Sequence, residues 1–316
     1  MSLGIESHMS HLCFADDVVL VATNARQLQE MIADLKGAAG ARGLKIHSGK
    51  TKVSTNAGRV SSQKIPSNIT VDGEKYEVLS PEESTKYLGR KVGYEDPQGV
   101  EFDNRVAKAW GAFSKHKQEL TDRRHYLKNR LKLFDAVVTP TLLYGCETWT
   151  LRADQQRRLR VVQRKMLRMI LNAKRRAVAP NSSSDTDAED EEDDAEVLEP
   201  WQDFLKRAAQ WTDEQLEKAS IQQWVVQWKK RKWKWAGRLF DAGNNKWSAV
   251  ATRWQPQLHS RHLCGRRQSR PKKRWDQDFI DYLHIAWPAE TKHWHELAAD
   301  KEWWLSQIDA FTSQGS

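Results

Sequence analysis

The first hundred residues carry their apolar positions in short runs, and the rest of the chain repeats them at three- and four-residue spacing. Leu12 to Phe14 and Val18 to Ala22 predict two short strands joined through Ala15-Asp16-Asp17. Thr23-Asn24 offers an N-cap to a helix bearing Leu28, Met31, Ile32 and Leu35, which Gly40 and Gly43 end. Strands are then expected at Leu44 to Ile46 and Lys50 to Val53 around the turn Ser48-Gly49. Further strands fall at Ile69 to Val71, Tyr76 to Leu79 and Lys86 to Leu88, with a turn at Asp72-Gly73.

From Glu101 the period becomes helical. Phe102, Val106, Trp110 and Phe113 mark one amphipathic helix; Leu127, Leu131 and Phe134 mark a second, interrupted near Pro140. A third runs from about Asp154 to Lys174, with Leu159, Val162, Met166 and Met169 on its apolar face. Its other side carries Arg157, Arg160, Arg164 and Arg168, spaced so that they stack in one stripe. A solvated face is the plain reading of such a stripe; contact with a row of phosphates is the sharper one. Farther on, Trp201, Phe204, Ala208 and Trp211 form another helical stripe. Ser220 is placed to cap a helix with Ile221, Trp224, Val225, Trp228, Trp235 and Leu239, interrupted by Lys229, Lys230, Arg231 and Lys232. A basic loop from Arg261 to Trp275 precedes helices near Asp276 to Ile285 and Glu290 to Trp304.

Charge changes this picture. The formal net charge is +9, yet Asp185 to Glu199 holds ten acids and no base. The remainder therefore carries nineteen net positive charges, the overall nine and the ten that the acidic run cancels. Such a surplus favours a polyanionic partner, and the 15 tryptophans supply flat faces for bases as well as core volume. Residues 179–199 read as a disordered acidic linker, since like charges repel and few apolar side chains interrupt them. No apolar run is long enough to span a membrane, and Met1 to Ser10 lacks the features of a secretory signal. Cys13, Cys146 and Cys264 lie too far apart to suggest a disulfide framework, and His259, His262 and Cys264 read as part of a basic loop rather than a zinc site.

The chemistry is concentrated in Phe14-Ala15-Asp16-Asp17. Two adjacent carboxylates in a tight turn between β-formers repel one another, and folding alone does not favour them. Divalent cations would neutralise them, and nucleotidyl transfer by two metal ions needs such hard oxygen ligands.

The segment Leu12-Cys13-Phe14-Ala15-Asp16-Asp17-Val18-Val19-Leu20 resembles the catalytic hairpin of reverse transcriptases of the LINE-like, non-LTR retrotransposon class. Gly43 to Lys52 is similar to the next palm motif of that family, and Lys86-Tyr87-Leu88-Gly89 to its primer-grip hairpin. Thr141 to Trp149 resembles a thumb segment. Lys234 to Leu239 and Arg270 to Trp275 resemble tail segments. The resemblance covers most of the chain apart from the acidic tract. It implies RNA-directed DNA synthesis with two magnesium ions (Mg2+), an RNA template and a DNA primer. Asp16 would then be the principal metal ligand, Asp17 its companion, Lys50 a neutraliser of pyrophosphate, and Tyr87, Leu88 and Gly89 would position the primer. An ordinary surface lysine is the plain alternative for Lys50, and a core side chain for Leu88.

A palm of this family needs a further aspartate upstream; only fifteen residues precede Asp16, and none is an aspartate. The isolated chain is therefore expected to polymerise little or not at all, and to expose an apolar palm edge prone to association. The expected fold is α+β. Residues 1–100 form an incomplete reverse-transcriptase palm, 101–178 a helical thumb-like region, 179–199 the acidic linker, and 200–316 a basic Trp-rich helical tail. The alternative function is a non-catalytic nucleic-acid-binding relic that relies on the arginine stripe and the Lys229–Lys232 cluster. The basic run at Arg270 to Arg274 favours nuclear over cytoplasmic residence, the two locations left open.

Overall fold

In a computed structural model of the chain, the described residues are 9–55, 66–93, 96–177, 197–241, 247–253, 273–290 and 292–313. Two compact units part at Asn104 and Arg105. Among the described residues no helix is long and apolar enough to cross a membrane.

The first unit is mixed α and β. Strands β1 (His11–Phe14) and β2 (Asp17–Leu20) pair antiparallel, with Phe14 opposite Asp17, so Asp17 belongs to a strand and only Ala15-Asp16 form the turn. Helix α1 (Ala25–Gly40) follows. The Asn24 side chain accepts the Gln27 amide at 2.8 Å, and the Gln27 side chain in turn accepts the Thr23 amide at 2.8 Å. Gly43, at φ 73°, lets Leu44 N–H bond back to Ala39 O at 2.9 Å and closes the helix.

The strand expected at residues 44–46 does not form. Leu44 is exposed, and only Ile46 turns into the core, so the segment crosses as coil to β3 (Lys52–Val53). β4 (Asn68–Val71) and β5 (Glu74–Val78) make a hairpin whose Asp72 and Gly73 both have positive φ, the mirror-image turn that matches strand twist. β3 pairs parallel to β5. Ile32, Ile69, Val71, Tyr76 and Val78 form the core of this unit, with Leu20 and Leu28 against it. β6 (Ser84–Tyr87) and β7 (Arg90–Gly93) form a third hairpin, and Leu88 is a turn residue at φ 47° rather than the end of a strand. Glu101, fully buried in α2 (Pro97–Lys115), accepts the Lys91 amide at 2.7 Å and so anchors this hairpin. Asp96 caps α2 through the Gly99 amide, and Pro97 takes the first helical position.

The second unit is helical. It contains α3 (Lys117–Thr121), α4 (Leu127–Leu142), a 3-10 turn (Cys146–Thr148), α5 (Ala153–Leu171), α6 (Trp201–Lys218) and α7 (Trp224–Asp241). After them come α8 (Trp247–Arg253), α9 (Gln277–Ala286), α10 (Trp294–Leu297), α11 (Lys301–Ser306) and α12 (Ile308–Ser313). Pro140 sits inside α4 without breaking it; it lies in the last turn, where Thr141 Oγ1 bonds Val137 O at 2.8 Å. Arg130, buried, donates to Leu120, His125 and Ile170 carbonyls, tying the end of α3 and the end of α5 to α4. Ser220 does not cap α7. It takes φ 59° and ends α6, while the first amide of α7, at Trp224, bonds the Gln163 side chain at 2.9 Å.

Helix α7 runs through its four consecutive bases without interruption, and from Trp224 to Phe240 only Lys234 and Arg238 are exposed. At its centre the Trp233 and Trp304 rings stack at 3.8 Å and 7°. Each indole N–H donates to the other residue's carbonyl, at 2.7 and 2.9 Å. Phe279, Tyr282 and Phe311 close around Trp233. Gly237 gives the stacked ring its room: a Cβ there would lie 2.9 Å from Trp304 Cδ1. Gly237→Ala is accordingly predicted to destabilise the chain by about 1–3 kcal/mol in urea denaturation, although alanine is the better helix former.

Candidate metal hairpin and basic helical surface

Asp16 stands at the apex of the β1–β2 hairpin and Asp17 on the first residue of β2, both exposed. Ala15, before them, is held at φ 51°, a conformation that costs a side-chain-bearing residue about 1–2 kcal/mol. The hairpin is a two-stranded sheet by itself. Alternation puts Leu12, Phe14, Val19 and Val21 on the face that also bears Asp17. Leu12 is 41% exposed and Phe14 63%, so this apolar face is uncovered among the described residues, while Leu20 on the other face packs into the core.

Lys50 lies in the exposed turn after His47, whose carbonyl accepts the Lys50 and Thr51 amides at 3.1 Å. Tyr87 and Leu88 are half-buried and Gly89 exposed, at the tip of the β6–β7 hairpin. Among the described residues, no group of three histidine, cysteine or carboxylate side chains stands close enough to enclose a metal ion. His259, His262, Cys264 and Arg270 to Lys272 lie outside the described residues, as does most of the acidic tract. Glu199, its last acid, is folded: its carboxylate pairs with Arg207 and accepts the Arg176 amide.

The two basic clusters of the helical unit have different fates. On α5, Arg157 is exposed, Arg160 half-buried, Arg164 paired with Asp213 at 2.8 Å, and Arg168 half-buried with its guanidinium pKa pushed down, first by burial and then by Arg164. Arg158 and Lys165, absent from the predicted stripe, widen the exposed face, and Lys165 Nζ sits 5.6 Å over the Trp110 ring. Arg158 and Lys165 stand seven residues apart, two helical turns, so the sequence places them on one side of the helix.

The α7 cluster turns inward instead. Lys230 pairs with Asp309 at 2.9 Å, and Arg231 donates to Leu143 O at 3.2 Å. Lys229 is half-buried, with its ammonium 6.0 Å from the Phe311 ring centre. Lys232 is fully buried. Its Nζ lies 2.7 Å from Asp278 and 5.4 to 5.5 Å from the Trp228, Trp275 and Phe279 rings. The expectation that Lys232 faces a nucleic acid is therefore corrected: a helix enclosed on nearly every side carries its charge into the interior, where no phosphate reaches it.

Burial pushes the Lys232 amine down against the pull of Asp278. Burial also raises the Asp278 carboxyl, but Lys232 and Lys273 outweigh it and hold the group below its ordinary value.

A transposon-derived protein of Caenorhabditis elegans is 26% identical to this chain over 311 residues, 95% of each. That likeness supports an origin in a transposable element. No protein-family model matches the chain, and no solved structure does.

Removing one partner of a buried pair strands the other charge, whereas replacing charge by hydrocarbon is often near neutral. Asp278→Asn, which leaves Lys232 buried without its carboxylate, should cost about 3–5 kcal/mol in urea denaturation. Lys232→Met, which leaves Asp278 with Lys273, should cost much less. Because the Asp278 carboxyl is depressed in the folded chain, the stability it supplies is complete above about pH 4 and falls as pH drops through its folded value.

Proposed function

We propose that the chain derives from the RNA-directed DNA polymerase of a non-LTR, LINE-like transposable element and does not polymerise alone. The observation that carries this reading is the β1–β2 hairpin, with Asp16 at its apex and Asp17 on its second strand. Asp16 would hold magnesium with Asp17 beside it, and the ions would supply activation of a primer hydroxyl and neutralisation of leaving pyrophosphate. Carboxylate oxygens are the donors magnesium prefers. Two exposed carboxylates do not by themselves fix a pair of ions, so no catalytic step is assigned to this chain. Lys50, exposed beside its turn, would neutralise the pyrophosphate of an incoming triphosphate, and the tip formed by Tyr87, Leu88 and Gly89 would position the primer end.

The second reading is nucleic-acid binding without chemistry, favoured by the exposed basic face of α5 beside Trp110. Its Arg157 and Lys165 are placed to meet phosphates, with about 6 Å of rise for each i, i+4 step. Template RNA and primer DNA are the partners under the first reading; RNA or DNA alone suffices under the second.

Primer extension on an RNA template with magnesium separates them. The purified chain should give no extension, identical to Asp16→Ala, while still shifting RNA in a gel. Extension that disappears in Asp16→Ala would show that the remaining ligands are supplied elsewhere and that the chain is an active polymerase.

A further inference from the structure

The turn between α3 and α4 carries the most exposed aromatic ring among the described residues, that of Tyr126 at 83%. Folding does not account for it. Tyr126 stands where a capping side chain ordinarily opens a helix, and it makes no cap hydrogen bond. Its backbone is fixed all the same. Its carbonyl accepts the Asn129 and Arg130 amides at 3.0 and 3.2 Å. The buried Arg130 guanidinium holds the neighbouring His125 carbonyl at 3.1 Å and also binds Ile170 O, at the end of α5, at 2.7 Å. A rigid main chain thus presents an almost bare ring to solvent.

Charge around the ring is one-sided. Between Lys115 and Lys132 the sequence holds seven bases and two acids, Glu119 and Asp122. Arg130 is spent on carbonyls, and Arg124 pairs with Asp122 at 2.7 Å. The Arg124 side chain and amide push the Asp122 carboxyl down to about 2, so that acid is consumed inside the turn. Lys115, Lys117, Arg123, Lys128 and Lys132 are exposed and make no ion pair among the described residues, against the single exposed acid Glu119. Lys128 and Lys132 lie one turn apart on one face of α4, separated by about 6 Å of rise. A cationic guest would be repelled here. An acidic peptide would answer the charge and leave the ring unused, whereas a strand of nucleic acid answers both.

We propose that this turn and the start of α4 bind single-stranded nucleic acid, with one base stacked on the Tyr126 ring and adjoining phosphates at Arg123 and Lys128. The inference deepens the nucleic-acid-binding reading and rests on it. Every base has a flat face, so the site favours single strands, whose bases can unstack, over duplex and does not select a sequence.

The test is fluorescence anisotropy of the full chain with a labelled single-stranded ribo-oligomer and with the matching duplex. Tyr126→Ala is expected to weaken single-strand binding about tenfold and to leave duplex affinity and the salt dependence as they were. Tyr126→Phe keeps wild-type affinity, because stacking uses the ring and not the hydroxyl. Arg123→Gln loses a phosphate contact instead, and its slope of log affinity against log salt becomes shallower by about 0.7. Both residues are exposed, so the fold, read by circular dichroism, stays unchanged. Wild-type affinity in Tyr126→Ala, or an equal loss in Tyr126→Phe, overturns the proposal; if Arg157→Glu/Lys165→Glu still weakens the strand, the α5 reading survives it. A loss in Tyr126→Ala as large for duplex as for single strand overturns the stacked base. A wild-type chain that binds no strand brings down the nucleic-acid-binding reading and this site together.

Discussion

The helical unit depends on the contact between Trp233 and Trp304. Two parallel indoles at 3.8 Å, each donating its N–H to the other's backbone carbonyl, satisfy four buried polar groups and join segments 71 residues apart. Dispersion between large flat rings and the satisfaction of both indole donors make this a strong and directional junction. It brings α11 against α7, and the aromatic side chains of α9 and α12 fill the space around it. Once α7 is enclosed in this way, its charged residues have few routes to water. Lys232 is buried for that reason, and Asp278 with its ring of aromatic side chains is the arrangement that makes the burial tolerable.

That sequence of causes explains which parts of the molecule were legible in the chain. Local signals were read well. The Thr23-Asn24 cap, the Asp72-Gly73 turn, the Leu12-to-Leu20 hairpin and the apolar face of α5 each depend on residues within a few positions of one another. Failures came where distant segments decide. Four consecutive bases on a helix read as an interruption and a nucleic-acid-binding cluster until Asp278, Asp309 and the Leu143 carbonyl arrive from elsewhere in the chain. Ser220 has the chemistry of an N-cap, but Gln163 of α5 already serves the Trp224 amide, which leaves Ser220 to end the preceding helix. Leu44 to Ile46 has strand composition and, among the described residues, no strand to pair with.

The same distinction governs the surfaces open to partners. The hairpin with Asp16 and Asp17 presents its carboxylates and an uncovered apolar face together, so whatever covers Leu12 and Phe14 would also stand beside the carboxylates. Part of the basic surplus is consumed by folding, in Lys230, Arg231 and Lys232 of α7 and Arg164 of α5, and part is left outside, in Arg157, Arg158 and Lys165 of α5. Net charge alone could not make that division, because a buried ion pair and a solvated stripe count equally in a composition.

The most direct measurement is the salt dependence of RNA affinity for the wild-type chain, the Arg157→Glu/Lys165→Glu double variant and Lys232→Met. The account predicts that the α5 variant binds more weakly, with a shallower dependence of affinity on salt by about two released counterions. Lys232→Met should bind as wild type does. Wild-type binding by the α5 variant, or loss of binding in a folded Lys232→Met chain, would contradict it.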